Sequence, residues 1–272
     1  MIKFIDLFSG IGGFHQAMNS FDSECVFASE IDERAAAVYE SNFGLRPHGD
    51  ITKIEASDIP SHDLLCAGFP CQPFSISGQR KGFEDTRGTL FFDIMRIADH
   101  HRPKVLLLEN VPNLGSVDDG SILRVIIDTI KDLGYAPQIK VLNASDFGLP
   151  QQRKRLFIVA FRGEYDFEFP RPKDEVTCLL DLLEDNPSDA HVVERDDIIF
   201  TREYTPHKDL FGMTDLPNRL LKLGHIEGGY KGRGYQGGRI YSPYGHAATL
   251  KTTGGKTEFY QIGDTIRRLS PP

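Results

Sequence analysis

The strongest constraint on the fold is a regular alternation of apolar and amphipathic segments through the first three fifths of the chain. Apolar runs predict strands over residues 3–8, 24–29, 62–67, 104–110, 136–142 and 155–161. Helix patterns lie between most of them, and Asp32 is the predicted N-cap of a helix over 32–43. This alternation is typical of βαβ units, so we predict an α/β fold whose mostly parallel sheet is covered on both faces.

The alternation stops near Arg162. Beyond it the chain is rich in Gly, Pro, Tyr and Thr, with short β-like runs such as "GGRIYSP" and "AATLKTT". We therefore predict a first domain over residues 1–163 and a smaller, mostly β and loop domain over 164–262. Residues 263–272 are predicted to begin a segment that returns to the first domain.

Composition excludes several classes of protein. The chain has 272 residues and a net charge of −8, which argues against non-specific coating of nucleic acid. Residues 222–256, however, include six basic residues and one acidic residue, so one surface could still be basic. No apolar run reaches membrane-spanning length, and the first residues are not expected to act as an export signal. Four cysteines without metal or disulfide spacing predict a cytoplasmic protein with no metal site.

A glycine-rich turn follows the first predicted strand in "FIDLFSGIGG", with glycines at 10, 12 and 13. A strand, such a turn and a helix are the setting of a nucleotide-like ligand, although G-x-G-G departs from the dinucleotide pattern. Glu30 follows the second strand, where an acid can bind ribose hydroxyls. Asp50 follows what is read as a third strand, where a carboxylate can accept from an adenine amino group. An adenosyl cofactor fits this set. The alternative is a simple tight turn, with Glu30 as a helix-start acid.

A cysteine between two prolines ends another predicted strand, in "LLCAGFPCQPFS". Pro70 and Pro73 fix the backbone and lack donors, so they hold Cys71 in a stiff, irregular turn. A thiol there is a candidate nucleophile if its thiolate is favoured and reachable. Cys66, inside the strand, is predicted to be a buried apolar side chain.

Charged groups complete the candidate site. Glu109 closes the buried strand of "KVLLLENV", so it should share a sheet edge with Cys71. Desolvation at that edge would favour its protonated form and allow it to donate a proton. Arg153 and Arg155, in "QQRKR", are predicted to alternate on a strand and point the same way, which suits recognition of a carbonyl or phosphate.

These motifs, in this order, resemble the DNA (cytosine-5) methyltransferase family. The resemblance rests on "FIDLFSGIGGF", "GFPCQPFSISG", "KGFEDTRGTLFFDI", "PKVLLLENV", "NASDFGLPQQRKRLFIVAF" and "GGRIYS", and it covers almost the whole chain. It implies a Rossmann-like S-adenosylmethionine-dependent methyltransferase sheet with a smaller target-recognition domain. It also implies a bacterial or phage restriction–modification enzyme that extrudes a cytosine from double-stranded DNA.

The resemblance assigns roles to named residues. Cys71 would attack carbon-6 of the ring, Glu109 would protonate the ring nitrogen, and Arg153 and Arg155 would hold the base carbonyl and local charges. The residues implied to line the S-adenosylmethionine pocket are Phe8, Gly10, Gly12, Gly13, Glu30, Ile31, Asp50, Ile51, Pro70 and Leu90. The residues implied to contact DNA are Ser75, Ser77, Arg87, Gln236, Arg239 and Thr249, of which Gln236 and Arg239 are the candidates for base readout.

The end of the sequence departs from the family pattern. "TIRRLSPP" resembles the start of a motif that continues in the family, and the last family motif has no counterpart. A trimmed chain, a truncated gene product and one subunit of a split enzyme are the explanations left open, and a monomer is expected unless a second polypeptide completes the protein.

Two other functions also stay open: methylation of tRNA by the same chemistry, and DNA binding without turnover. A nicotinamide oxidoreductase would leave the cysteine, glutamate and arginines unexplained.

Overall fold

The structure, a computed structural model, divides the chain into two units. It describes residues 1–70, 90–173, 177–183, 198–201, 221–226, 239–243, 246–247, 259–262 and 265–268. The first unit consists of Met1–Leu142 and Arg155–Phe169, and the second of Asn143–Lys154 and Pro170–Pro272. Residues 143–154, which contain most of the arginine motif, therefore group with the second unit.

The larger sheet is built from six strands with four helices among them. Its elements in chain order are β1 (Ile2–Leu7), α1 (Gly13–Met18), β2 (Ser23–Ser29), α2 (Glu33–Phe43), β3 (Leu64–Gly68), α3 (Leu90–His101), β4 (Val105–Asn110), α4 (Ser121–Asp132), β5 (Tyr135–Asn143) and β6 (Lys154–Arg162). The strand order is β2-β1-β3-β4-β6-β5. Strands β2, β1, β3 and β4 run parallel to one another, and β6 runs antiparallel to β4. The predicted α/β architecture is confirmed.

One face of this sheet forms the main core. Alternate residues of the central strands point to it and pack with apolar residues of α3 and α4, as the two-residue period of a strand requires. The members with no exposed surface include Ile5, Leu65, Leu106, Leu108, Ile94 and Ile126. Burial on this scale makes β1, β3 and β4 a rigid support for the turns that follow them.

The opposite face is only partly covered by the described helices, which differs from the prediction. Phe14 and Met18 of α1 pack there against Phe4 and Cys66. Along β4, however, Val105 and Leu107 remain half-buried, whereas Leu106 and Leu108 are fully buried. Helix α1 has six residues, and α2 lies beside it, where the Tyr39 hydroxyl is 3.5 Å from Cys25 Sγ of the same cluster.

Two local predictions meet opposite outcomes. Asp32 is the N-cap of α2, and its carboxylate accepts from the backbone N–H groups of Arg34 and Ala35 at 2.9 and 3.1 Å. The third strand predicted before Asp50 is wrong, because only an isolated bridge between Ser29 and His48 forms there. A single bridge still places the chain beside β2, so Asp50 follows the sheet edge without following a strand.

The second unit contains a five-stranded sheet. Its strands are β7 (Ile198–Phe200), β8 (Lys222–Ile226), β9 (Arg239–Tyr241), β10 (Phe259–Ile262) and β11 (Thr265–Arg268), in the order β11-β10-β9-β8-β7. All neighbouring pairs are antiparallel except β9 and β10. Leu223, Ile240, Phe259 and Ile266 pack together in this unit. No helix in the described part of the chain is long and apolar enough to cross a membrane.

A buried histidine in the first unit makes stability depend on acidity. His62 donates from Nδ1 to the Pro60 carbonyl at 2.8 Å, and its buried Nε2 has no hydrogen bond among the described residues. Burial lowers the pKa of His62 to about 4, with the His101 ring adding to the effect. The unfolded chain therefore binds this proton at higher pH than the folded protein, and stability is lost as pH falls from about 6.5 to 4.

We expect His62→Asn to reduce this acid sensitivity, because an amide can keep the Pro60 hydrogen bond without titrating. The proton linkage contributes roughly 3 kcal/mol between neutral pH and the acid limit. Chemical denaturation at several pH values measures it, with His100→Asn, at an exposed neighbouring histidine, as the control. A variant whose stability falls between pH 6.5 and 4 as steeply as that of the parent would contradict the assignment.

Candidate active site

The candidate active site lies where the parallel strands of the larger sheet end. The turn after β1 carries the glycines, Glu30 follows β2, Phe69 and Pro70 follow β3, and Glu109 lies at the end of β4. Carboxyl ends of parallel strands meet at one sheet edge, which is where ligands bind in open α/β sheets. The structure thus brings together residues that the sequence spreads over a hundred positions.

The turn after β1 has a left-handed backbone at three positions. Phe8 and Gly10 have φ of 55° and Gly12 has φ of 95°. Such a φ is strained for phenylalanine, and non-glycine residues held this way are concentrated at binding and catalytic sites. A Cβ at Gly12 would overlap the Phe43 ring, whereas one at Gly10 would meet nothing within 4 Å. Gly12 is therefore required for packing on α2, while the Cα of Gly10 faces open space.

Glu30 connects this turn to the next helix. Its Oε2 accepts from the Gly10 backbone N–H at 2.8 Å, and its Oε1 accepts from the Asp32 backbone N–H, also at 2.8 Å. The cap of α2 is Asp32, so Glu30 is not a simple helix-start acid. The two hydrogen bonds hold a carboxylate beside the glycine turn, 20 residues away in sequence.

The neighbouring residues differ in exposure. Ile31 is 71% exposed, although it is a large apolar residue, while Ile51 is 3% exposed and lies in the core. Asp50 accepts from the Thr52 hydroxyl and backbone N–H at 2.7 and 3.1 Å, and these hydrogen bonds lower the pKa of Asp50. Pro70 is exposed, and Leu90, half-buried, is the first residue of α3. The exposed Ile31 beside Glu30 offers an apolar surface to a ring.

A second carboxyl lies beneath the turn, inside β1. Asp6 is fully buried, and burial raises the pKa of Asp6 well above its usual value, with the charge of Glu30 acting in the same direction. The His15 backbone N–H opposes this rise. Neither oxygen of Asp6 makes a hydrogen bond of normal geometry within the described ranges. Burial and the neighbouring charge of Glu30 therefore both favour the protonated form of Asp6.

Glu109 is paired with Arg155. The Nε of Arg155 lies 2.6 Å from Oε1 of Glu109, and the two side chains are 20% and 23% exposed. Register explains the contact, because Glu109 faces Phe157 across the β4–β6 ladder, two residues from Arg155. A Cβ at Gly68 would lie 3.6 Å from Oε2 of Glu109 and 4.0 Å from the Phe8 carbonyl. Gly68 therefore leaves open the space between the glutamate and the glycine turn.

Asn110 fixes the chain that leads to the candidate nucleophile. Its buried Nδ2 donates to the Phe69 carbonyl at 2.9 Å, and its Oδ1 accepts from the Val111 N–H at 2.8 Å. Cys71, two residues after Phe69, lies outside the described residues. Cys66 is fully buried, and burial raises the pKa of its thiol well above the usual value, so it is inert as predicted. Sequence reasoning missed Asn110, for which a polar residue closing an apolar strand is the only signal.

The prediction that Arg153 and Arg155 alternate on one strand is wrong. Strand β6 begins at Lys154, so Arg153 precedes it. The backbone of Arg153 instead pairs within the second unit, where its N–H donates to Asn143 Oδ1 at 3.0 Å and its carbonyl accepts from the Ala144 N–H at 3.1 Å. The motif therefore contributes Arg155 to the ion pair with Glu109 and Arg153 to the segment that precedes β6.

The structure tests few of the predicted DNA contacts. Arg239 is the first residue of β9, where it pairs with His225 of β8. The other five lie outside the described residues: Ser75, Ser77, Arg87, Gln236 and Thr249.

Comparison with known proteins defines the class. The family model of C-5 cytosine-specific DNA methylases matches residues 2–270. Type II methyltransferase M.HhaI of Haemophilus parahaemolyticus is 44% identical over 278 residues, covering 99% of this chain and 81% of that protein. Type II methyltransferase M.HaeII of Haemophilus aegyptius is 52% identical over 275 residues, covering 99% and 79%. The chain therefore belongs to the C-5 cytosine-specific DNA methylase family and is a DNA (cytosine-5)-methyltransferase.

A solved structure supports the fold independently. The S. pombe Dnmt2 methyltransferase matches 97% of this chain and 78% of its own length, with a TM-score of 0.66 and 22% identity. At that identity the match concerns the fold alone. It confirms the α/β sheet predicted from the alternation of strands and helices, and it agrees with the methyltransferase-type sheet that the family resemblance implies.

Proposed function

We propose that this enzyme transfers a methyl group from S-adenosylmethionine to carbon-5 of a cytosine flipped out of a specific short duplex DNA sequence. The observation that carries the proposal is the Glu109–Arg155 pair at the end of β4, beside the glycine turn. The relatives named type II methyltransferases support a place in a restriction–modification system. Double-stranded DNA is the proposed partner.

The edge of the sheet fits an adenosyl cofactor. Glu30 presents a carboxylate whose position is fixed by two backbone N–H groups, which suits ribose hydroxyls. Exposed Ile31 and half-buried Phe8 offer apolar contact, and the open side of Gly10 lets a ligand approach the backbone. When bound, S-adenosylmethionine supplies the activated methyl group to carbon-5. Asp50, Pro70 and Leu90 remain proposed pocket residues, whereas buried Ile51 could support the pocket through its backbone.

Residues of this chain would activate the cytosine. The Cys71 thiolate forms a bond to carbon-6, and the displaced electron pair moves toward ring nitrogen-3. Glu109 donates a proton to that nitrogen, which neutralises the developing charge and makes carbon-5 nucleophilic. After methylation the proton on ring nitrogen-3 returns to Glu109. A solvent base takes the carbon-5 proton, which restores the double bond as the carbon–sulfur bond breaks and the thiolate leaves. Arg155 holds Glu109 in place, and Arg153 is proposed to hold the base carbonyl.

Covalent trapping tests this mechanism. We expect wild-type protein to form a stable adduct with duplex DNA containing 5-fluorocytosine, because fluorine cannot leave carbon-5 as a proton does. Cys71→Ser should form no adduct while still binding the same DNA. Cys25→Ser is the matched control, because Cys25 is half-buried and lies near the start of β2, at the opposite end of the strand from Glu30. This variant should form the adduct as wild-type protein does. Denaturing gel electrophoresis with labelled DNA gives the readout.

The same assay separates the alternatives. Trapping of tRNA in place of DNA would make this a tRNA methyltransferase, and DNA binding without any adduct would make it a non-catalytic binding protein. Activity of the chain alone would contradict a requirement for a second polypeptide. Adduct formation by Cys71→Ser would contradict the role of that cysteine.

A further inference from the structure

A chain of hydrogen-bonded polar side chains leads from the arginine motif to a distant segment of the second unit. Its members are Asn143, Ser145, Gln152 and His246. Three of them are buried, with exposures of 8% for Asn143, 2% for Ser145 and 1% for His246. Its longest-range contact joins Gln152 to His246, 94 residues away in sequence. Buried polar groups of this kind are costly unless all of them are satisfied, so their arrangement is constrained.

The donors run from Arg153 toward His246, with one branch in which Ser145 Oγ accepts from both amides and donates to Asp146. The Arg153 N–H donates to Asn143 Oδ1 at 3.0 Å, which leaves Asn143 Nδ2 to donate to Gln152 Oε1 at 3.1 Å and Ser145 Oγ at 2.7 Å. Gln152 must then present Nε2, which lies 2.7 Å from Nδ1 of His246. His246 therefore accepts at Nδ1 and carries its proton on Nε2.

His246 is also held from its other side. A hydrogen bond to the Thr177 backbone and the nearby Asp146 carboxylate oppose the burial that lowers the pKa of His246. The net shift is downward, which favours the neutral ring that the Gln152 contact requires. A second proton on this ring would point Nδ1–H at the Gln152 amide N–H group.

Backbone pairing runs beside the side-chain contacts. The Gln152 N–H donates to the Ala247 carbonyl at 3.0 Å, and the Ala247 N–H donates to the Pro150 carbonyl at 2.6 Å. Gln151 and Ala247 form an isolated parallel bridge. Residues 150–153 are thus fixed by segment 246–247 through both backbone and side chains.

We propose that Gln152 and His246 are positioning residues, which fix the backbone of Arg153 and thereby orient its guanidinium for the reaction. The inference rests on the proposed function, because it takes Arg153 to act on the target base. In this role Gln152 and His246 act on the Arg153 backbone through Asn143. Their loss should therefore slow the chemical step more than it weakens substrate binding.

Kinetics of Gln152→Met and His246→Leu test this role. Each variant removes one side of the contact with little change of volume. We expect the single-turnover rate of methyl transfer to fall about 10- to 100-fold in each, with KM for DNA and S-adenosylmethionine within about twofold. The double variant should be no slower than the slower single variant, because both act through one contact. His246→Asn, whose Oδ1 can accept from Gln152, should recover most of the rate.

The control is His100→Leu, at an exposed histidine near the end of α3. It should keep a rate within about twofold of wild type, since it is outside this chain of contacts. Thermal unfolding of every variant shows whether the protein tested is folded. Folded Gln152→Met and His246→Leu with wild-type rates would overturn the inference.

A second readout does not depend on activity. Nitrogen-15 NMR of the imidazole in the full chain should show the neutral Nε2–H form of His246, and Gln152→Met should shift its Nδ1 resonance. If wild-type protein methylates no DNA, the proposed function fails while this spectrum still tests the hydrogen-bond chain. A Nδ1–H form of His246 at neutral pH would overturn the inference even in an active enzyme.

Discussion

Glu109→Gln is expected to slow methyl transfer by about 10²- to 10⁴-fold, the range for losing a positioned proton donor. Glutamine has the shape of glutamate and can accept from Arg155, so the packing at the end of β4 should survive. It cannot give a proton to the cytosine ring, and the charge created by attack of Cys71 would stay on the base. The measurement is single-turnover transfer of a labelled methyl group to saturating duplex DNA.

The control for this prediction is Glu33→Gln, which removes another glutamate–arginine contact. Glu33 pairs with Arg46, but its side chain is 80% exposed. Exposed pairs contribute about 0–1 kcal/mol, so this variant should keep the wild-type rate and nearly the wild-type stability. A Glu109→Gln enzyme that retains more than about a tenth of the wild-type rate would rule out the proton-donor role.

Residues governed by local rules were predictable from the sequence. Asp32 caps α2 by accepting from backbone N–H groups two and three residues later. This contact depends only on neighbouring residues, so the sequence predicts it without knowledge of the tertiary structure. Glu109 was placed correctly at the sheet edge because any residue that closes a buried parallel strand lies there. Its ion pair with Arg155 was not predicted, since it depends on the antiparallel register of β4 and β6.

Residues governed by distant partners were beyond sequence reasoning. Strand β6 begins at Lys154, and its ladder with β4 begins only at Leu156, opposite Asn110, so Arg153 precedes the strand. The Gln152–His246 contact joins positions 94 residues apart and has no periodic signature. The missing third strand has a similar cause, because His48 meets Ser29 in one bridge without continuing the sheet.

Gly12→Ala is expected to destabilise the first unit by roughly 3–5 kcal/mol, from left-handed strain and overpacking together. The added Cβ would overlap the Phe43 ring at the end of α2 while φ is held at 95°. Phe43 cannot easily retreat, because it stacks on His15 with ring centroids 4.0 Å apart. Denaturant unfolding without ligand measures the loss.

Gly44→Ala separates the two causes of that loss. Gly44 has φ of 69° at the C-cap of α2, and a Cβ there would meet nothing within 4 Å, so only strain of about 1–2 kcal/mol is expected. Adding Phe43→Leu to Gly12→Ala should recover part of the loss, because the smaller side chain relieves the overlap but leaves the strain. Equal losses in Gly12→Ala and Gly44→Ala would mean that the contact with Phe43 is unimportant. In that case only the backbone conformation of the turn would require a glycine at position 12. The contact between the turn and the start of α2 would then depend on Glu30, which accepts from the Gly10 and Asp32 N–H groups.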